Sequence, residues 1–450
     1  MIGGFNMKKS KYCKMTRINE DVYAVYNSLL MEPLYVNKET ATKIKYNNFN
    51  ELSSSITNDL KKTGIIASSK KQDKEVFRLL KNEINKEIKN KASIMYIIPN
   101  NNCNLQCKYC FIGKLNNEHP KKMDYQTMQN AVDKYAEYSK TQDYPCKITF
   151  YGGEPLISYD NIKKIAEYIR IKEYSFELSM VTNGILLSDE IIDFLKEFNF
   201  SVGISIDGPK EINDLNRITY GTKAGTYDIV EKNIKKLEKK DVDYGLSITV
   251  SNKLLEKQDE FLKWLEELKP KSFSYNMMHY TYKTNEWKKY YVDVTKFLIK
   301  SNNLMFDKGY SEDRIRRKYV AFYDRDFKYS DCAARGGNQF TVKPDGNIVI
   351  CHGLWNTKEN IIGNINEIDS INDIFKSKRY EEWYRNIPLN NKKCQDCKAL
   401  YMCGGGCAMQ SRDLFGGEKE IDKAFCIHTK QLQQYILKEL YYNDVLKKEN

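Results

Sequence analysis

No stretch of this 450-residue chain reaches the roughly 18 apolar residues that a membrane span requires. Its first residues, MIGGFNMKKSKYCK, lack the apolar core of a secretory signal. Both absences lead to the expectation of a cytoplasmic protein with no membrane partner. In that compartment thiols stay reduced, so structural disulfides are disfavoured and clustered Cys-x2-Cys spacings point to metal binding. Internal repeats and long low-complexity linkers are also missing, which leaves folded domains and not a repeat array or a flexible tether. Acidic residues are the minority charge, 60 against 72 Lys and Arg for a formal +12. The excess runs alongside Asn, Ile and Tyr over the whole length, a bias of solvated faces that predicts no nucleic-acid partner. A basic groove for an acidic peptide stays open.

What is present divides into three parts. From about residue 93 to 303, short apolar runs alternate with amphipathic stretches. The runs SIMYIIPN, KITFYGG, FELSMVTN, SVGISIDG, YGLSITV and FSYNMMHY read as strands. Between or after them YQTMQNAVDKYAEYSK, DNIKKIAEYIRI, SDEIIDFLKEF, TYDIVEKNIKKLEKK, KQDEFLKWLEELK and WKKYYVDVTKFLIK carry apolar residues at helical spacing. Six βα units in succession predict an α/β fold, a partial (β/α)6 barrel with a parallel sheet wrapped by helices. The first 90 residues read as a small α+β module: VYAVYNSLL and EPLYVNKET as an antiparallel pair, FNELSSSITNDLKKTG and KEVFRLLKNEINKEIKNK as helices. After residue 330 the chain turns cysteine-rich. There VKPDGNIVI carries hairpin turn chemistry, and TKQLQQYILKELYYNDVL reads as a closing helix. The expected domains are 1–92, 93–310 and 311–450.

Ten of the twelve cysteines fall into two groups. One is Cys103-x3-Cys107-x2-Cys110, directly after the first barrel strand and so on a loop at the carboxyl end of the sheet, where such folds place their chemistry. The other runs Cys332-x13-Gly346-x4-Cys351, then Cys394-x2-Cys397-x5-Cys403-x3-Cys407, then Cys426. A [4Fe-4S] cube held by protein alone takes four thiolates. Three is one short of one cube and seven is one short of two. A zinc site with a distant fourth ligand, or three unrelated thiols, is the alternative for the first group. Cys146, at the head of KITFY, reads as a small buried residue, and Cys13 stands apart.

CNLQCKYCF resembles the signature of radical S-adenosylmethionine (SAM) enzymes. The resemblance implies a [4Fe-4S] cluster on Cys103, Cys107 and Cys110 whose fourth iron is chelated by the amino and carboxylate groups of SAM. It also implies reductive cleavage of SAM to a 5′-deoxyadenosyl radical that abstracts a hydrogen atom. Tyr151-Gly152-Gly153-Glu154-Pro155 is similar to the family's glycine-rich segment, in which Gly lets backbone approach the cofactor's ammonium group. Thr182-Asn183-Gly184 and Ser205-Ile206-Asp207-Gly208 match further rim segments. Carried over, the cofactor-binding residues are Tyr109, Gly152, Gly153, Glu154, Asn183, Ser205, Asp207 and Arg217. Ser205 is expected on the ribose or carboxylate, Arg217 on the carboxylate and Tyr109 beside the adenine or the cluster. Plain surface and core roles are the alternatives for Arg217 and Tyr109.

The seven-cysteine pattern resembles the twin-cluster SPASM extension of radical enzymes that act on peptides and proteins. The resemblance implies one auxiliary cluster on Cys394, Cys397, Cys403 and Cys426 and another on Cys332, Cys351 and Cys407, giving three [4Fe-4S] clusters with the first. The vacant iron of the second set is left to Asp331 or His352, to Cys146 or Cys13 reaching across, or to an exogenous thiolate. Sulfatase-maturing relatives carry a further cysteine, absent from Ala333 to Gln339, and an acidic residue where this chain has His352. That departure counts against a sulfatase role, and His352 is expected to act as a base or hydrogen-bond donor, or else as a structural histidine.

Residues 10 to 70 look like the winged-helix-like element that binds the leader of a precursor peptide by strand addition, with a cap on the barrel as the alternative. The expected activity is peptide maturation, a thioether formed between a substrate Cys sulfur and a peptide carbon, as in sactipeptide and ranthipeptide maturases. Its partners would be a cysteine-containing precursor with its leader and a flavodoxin or ferredoxin-like electron donor. Carbon–carbon crosslinking or oxidation of a peptide is the second expectation, and a noncatalytic electron-transfer module a remote third.

Overall fold

The computed structural model describes every residue except 1–6, 68, 89–90, 111–119, 281–284, 311, 355–356 and 450. In the amino-terminal part, β1 (Lys8–Lys9), β2 (Cys13–Arg17), β3 (Val22–Asn27), β4 (Leu34–Asn37) and β5 (Ile66–Ala67) form two small antiparallel sheets. One has the order β2-β3-β4 and the other pairs β1 with β5. The expected β3–β4 pair is there, and β2 is a third strand that its charged residues concealed. Helices Lys38–Lys45 and Ser54–Lys62 start where Asn37 and Ser53 side chains accept the N–H of Thr40 and Ile56. A small core of Val25, Ile44, Phe49, Leu60, Ile65 and Ile66 closes one side of this module.

The six barrel strands are β6 (Ile94–Ile97), β7 (Lys147–Phe150), β8 (Glu177–Thr182), β9 (Ser201–Ser205), β10 (Tyr244–Val250) and β11 (Phe273–Met277). They pair in sequence order and all in parallel. Helices Tyr125–Ser139, Tyr159–Ile171, Asp189–Glu197, Tyr227–Lys239, Gln258–Leu268 and Glu286–Phe306 follow the strands in turn, as their periodicity predicts. Alternation along the strands makes the interior. In β10, Tyr244, Leu246, Ile248 and Val250 are buried, while Ser247 and Thr249 point the other way into a cavity. Small and polar inward residues leave the barrel mouth hollow, and aromatic and branched outward residues pack under the helices.

The cysteine-rich part does not stand beside this barrel but continues its sheet. Strand β12 (Gln339–Val342) pairs in parallel with β6, and β13 (Asn347–Val349) and β14 (Ile361–Asn364) extend it antiparallel. The full order is β11-β10-β9-β8-β7-β6-β12-β13-β14. The expected hairpin turns at Gly346, whose φ of +77° suits glycine. The closing helix spans Lys423–Glu449 and packs along Glu286–Phe306.

The amino-terminal module seats on the cysteine-rich part. Tyr26, fully buried, donates its O–H to the Lys398 carbonyl at 3.2 Å, and Gln433 Nε2 donates to the same oxygen at 2.9 Å. Tyr35 donates to the Leu437 carbonyl at 2.9 Å. Tyr12, Tyr26 and Leu29 join one apolar core that runs through the barrel into the cysteine-rich region. Among the described residues no helix is long and apolar enough to cross a membrane.

Candidate active site

The loop after β6 is fixed by its backbone. Glu154 N–H donates to the Asn102 carbonyl at 2.7 Å, Gln106 N–H to Ile218 at 2.9 Å and Lys108 N–H to Asn216 at 3.1 Å. Glycine is required beside it. A Cβ on Gly153 would lie 1.9 Å from the Asn102 carbonyl oxygen, and one on Gly152 would lie 2.8 Å from that of Asn100. The two glycines therefore let the segment after β7 press against the cysteine loop. Cys103, Cys107 and Cys110 so held face a cavity of about 470 Å³ at the carboxyl ends of the strands. That volume is in the range of small-molecule sites.

The rim is a set of braced polar groups. Glu154, buried, accepts from Leu156 N–H at 3.1 Å, Thr182 O–H at 2.7 Å and Asn183 N–H at 2.8 Å, tying the end of β7 to the end of β8. Burial outweighs these donors and pushes its carboxyl up to about 7. Asn183 Nδ2 donates to Asn104 Oδ1 at 2.7 Å, next to Cys103. Ser205 closes β9 and faces the cavity. Asp207, fully buried, accepts from Tyr109 O–H and from Thr249 N–H and pairs with Arg217 Nε at 3.1 Å. The Arg217 guanidinium also lies 5.6 Å from the Tyr109 ring centre. Arg217 and Tyr109, expected on the cofactor, thus already share Asp207, while both still line the cavity.

Cys332, Cys351 and Cys407 open onto the same cavity, so six thiols surround it. Cys394, Cys403 and Cys426 line a separate cleft, where burial first and then neighbouring cysteines, Cys397 among them, push these three thiols up. The structure therefore places Cys332, Cys351 and Cys407 on one cavity and Cys394, Cys403 and Cys426 on another cleft. Cys146 is buried against Tyr135 and Cys13 belongs to the amino-terminal module, both away from this cavity. Asp331 is held by Lys318 Nζ at 2.6 Å; burial works to raise its carboxyl, but Lys318, Arg317 and Arg314 keep it well below the carboxylate range. His352 sits with its ring centre 4.8 Å from those of both Tyr96 and Tyr151. Burial lowers it to about 4, so it is neutral at working pH and a weak base.

Residues 97–274 match the radical SAM superfamily, and residues 332–398 match the iron-sulfur cluster-binding SPASM domain. The chain is 31% identical over 281 residues to an uncharacterized protein of Methanocaldococcus jannaschii, covering 60% of this chain and 88% of that one. It belongs to the radical SAM superfamily. The radical SAM cyclopropyl synthase TigE of Paramaledivibacter caminithermalis is 23% identical over 467 residues, covering 94% of this chain and 90% of that protein. Among solved structures, Streptococcus suis SuiB bound to precursor peptide SuiA shares the fold at TM-score 0.58 and 14% identity, over 93% of this chain and 99% of that one.

The donors in this radical SAM protein fit [4Fe-4S] clusters. Backbone N–H groups bond to the sulfurs: Leu105 to Cys103, Ala334 and Arg335 to Cys332, Gly353 and Leu354 to Cys351, Gly405 to Cys403, and Met409 and Gln410 to Cys407. Such donors stabilise thiolate ligands. Among the described residues no three His, Cys, Asp or Glu side chains converge on a single metal ion. Cluster and SAM together would supply a hydrogen-abstracting radical in the cavity. The chain's own residues brace the loop through Glu154 and Asn183 and present Ser205 and Arg217 to the cavity. Among the cavity residues that sequence reasoning missed are His279 and Arg314. His279 was within reach of it, since FSYNMMHY ends beyond the sixth strand on the catalytic rim.

Proposed function

We propose that this radical SAM protein matures a ribosomally made peptide, forming a thioether between a cysteine sulfur and a carbon of that peptide, with three [4Fe-4S] clusters. The observation that carries this reading is the shared cavity: the first cysteine group faces Cys332, Cys351 and Cys407, a set one thiol short of a full cube. A thiolate brought by the substrate is a chemically suitable fourth ligand and would stand across the cavity from the radical's source. The cofactor residues proposed are Tyr109, Gly152, Gly153, Glu154, Asn183, Ser205, Asp207 and Arg217, with Glu154 and Asp207 acting as braces. His352 fits a positioning role next to Cys351 better than proton abstraction. In the amino-terminal module, β2 and β4 have no outer strand partner among the described residues, which suits strand addition by a leader. An external flavodoxin or ferredoxin-like protein is the proposed reductant.

Coexpression with a cysteine-containing precursor tests the reading by mass spectrometry. The expected product has lost two hydrogens per link, and the linked thiols resist alkylation. A modified peptide whose cysteines all alkylate refutes it. That result would favour the second reading, carbon–carbon bond formation or oxidation, which the likeness to a cyclopropyl synthase over 94% of the chain supports.

A further inference from the structure

His279 lies two residues beyond β11, half-buried and lining the cavity, with Nε2 3.9 Å from Cys407 Sγ. We propose that His279 is a redox-positioning residue: its Nε2–H donates to the Cys407 thiolate and raises the reduction potential of the cluster held by Cys332, Cys351 and Cys407. The inference rests on the reading that these three cysteines hold a cluster.

The contact is built by its surroundings. Gln410, fully buried, accepts from Tyr280 N–H at 3.2 Å through Oε1 and donates to the Tyr280 carbonyl at 2.9 Å through Nε2. This two-point clamp fixes the residue next to His279 to the helix Ala408–Phe415 that starts immediately after Cys407. The backbone N–H of Gln410 itself bonds toward Cys407. Tyr290 O–H, which accepts from Met278 N–H at 2.7 Å, and donates to Val250 at 2.7 Å, holds the residue on the other side of His279. The imidazole thus has fixed neighbours on both sides and one sulfur in front of it.

Chemistry selects the donor role. Donor atoms bound to two different irons of one cube stand farther apart than 3.9 Å, so His279 is placed against the sulfur and not at the vacant iron. A thiolate accepts only, and the ring nitrogen that faces it must carry the proton. Hydrogen bonds to ligand sulfurs offset the negative charge of a reduced cluster and move its potential upward. Joining a thiolate to a carbon radical leaves one electron over, and a cluster of higher potential is the better acceptor for it.

The test is an EPR-monitored redox titration of the reconstituted full chain without peptide, in a Cys103→Ala/Cys107→Ala/Cys110→Ala background that leaves the auxiliary clusters alone. His279→Leu is expected to shift one midpoint to lower potential and leave the other in place. His279→Gln, whose amide also donates, should restore most of it, and Gln410→Leu should give a smaller shift of the same sign. Unchanged midpoints in His279→Leu, an equal shift in His279→Gln, or loss of that cluster's iron from His279→Leu each overturn the proposal. Pulsed EPR of the unsubstituted protein with isotope-labelled histidine gives a second reading that needs no variant. Weak nitrogen coupling with an exchangeable proton is expected, whereas strong coupling from direct ligation, or none, overturns it. Because no peptide is present, failure here is separate from failure of the thioether reading.

Discussion

Replacing Lys318 with Met removes a buried cation that ties the two auxiliary cysteine groups together. Lys318 is 1% exposed, and its Nζ bonds to Asp331 Oδ1 at 2.6 Å and to the carbonyls of Met402 and Cys403, both at 2.8 Å. Asp331 precedes Cys332 and its side chain is 7% exposed, so the pair spans from one group to the other out of water. Met matches the stem's volume but leaves a carboxylate without its closest cation, with Arg317 no nearer than 3.7 Å to the same oxygen. Breaking a buried pair from one side costs about 3–5 kcal/mol. Amide exchange in the helix Asp313–Tyr323 and at Leu400–Cys403 should then quicken roughly a hundredfold to a few thousandfold. Adding Asp331→Leu removes the stranded charge and should recover part of the loss. What stays is the cost of two unbonded carbonyls, on the order of 1–3 kcal/mol each. Hydrogen exchange on the three proteins decides the matter. A double variant no more protected than Lys318→Met refutes the account, because the stranded carboxylate would then not be the source of the damage.

Gly153→Ala sets a Cβ 1.9 Å from a backbone oxygen of the cysteine loop, an overpacking of about 1–3 kcal/mol or more. It is expected to cost about four irons per chain and abolish 5′-deoxyadenosine formation; full iron with normal product would contradict it. Glu154 has its folded pKa raised to about 7 from its ordinary 4.5 by burial, so the folded state binds the extra proton between those values. Its contribution is fully present below 4.5 and is lost as pH rises through 7, by about 3 kcal/mol. Denaturant midpoints of the chain and of Glu154→Gln should therefore diverge over that window, the unsubstituted protein losing ground, and parallel curves would refute the burial account. Cys351→Ala is expected to lose about four irons yet keep cleaving SAM, since the first cysteine loop is untouched, while thioether formation stops. Iron assay and chromatography of deoxyadenosine check both halves.

The barrel was legible because its information is local. Period-two alternation in YGLSITV sends Tyr244, Leu246, Ile248 and Val250 to one face and Ser247 and Thr249 to the other, and helical spacing between such runs leaves little choice but parallel pairing. The hairpin at Gly346 was legible for the same reason. What it pairs with was not: β12 reads as a strand in isolation, and its parallel register with β6, Gln339 opposite Ile94, is decided between segments far apart in the chain. Strand β2 escaped notice because CKMTR carries charges at Lys14 and Arg17, on opposite faces, and so shows no period-two apolar alternation.

The site divides along the same line. Cysteine spacing is a short-range signal, and the residues it singled out line the shared cavity and the separate cleft, Cys397 apart. Side-chain partnerships cross the molecule and carry no such signal. Arg217 could be assigned a role toward a carboxylate, but nothing in NDLNR says that Asp207 is at 3.1 Å. The same holds for His279, set 128 positions from Cys407 and brought to it by a glutamine that grips the neighbouring backbone. Residues that meet across domains act on cluster sulfurs only if both domains are rigid there. In this fold the continuous sheet from β11 to β14 and the Gln410 clamp supply the connections on which such rigidity would depend, joining the barrel's last strand to the helix after Cys407.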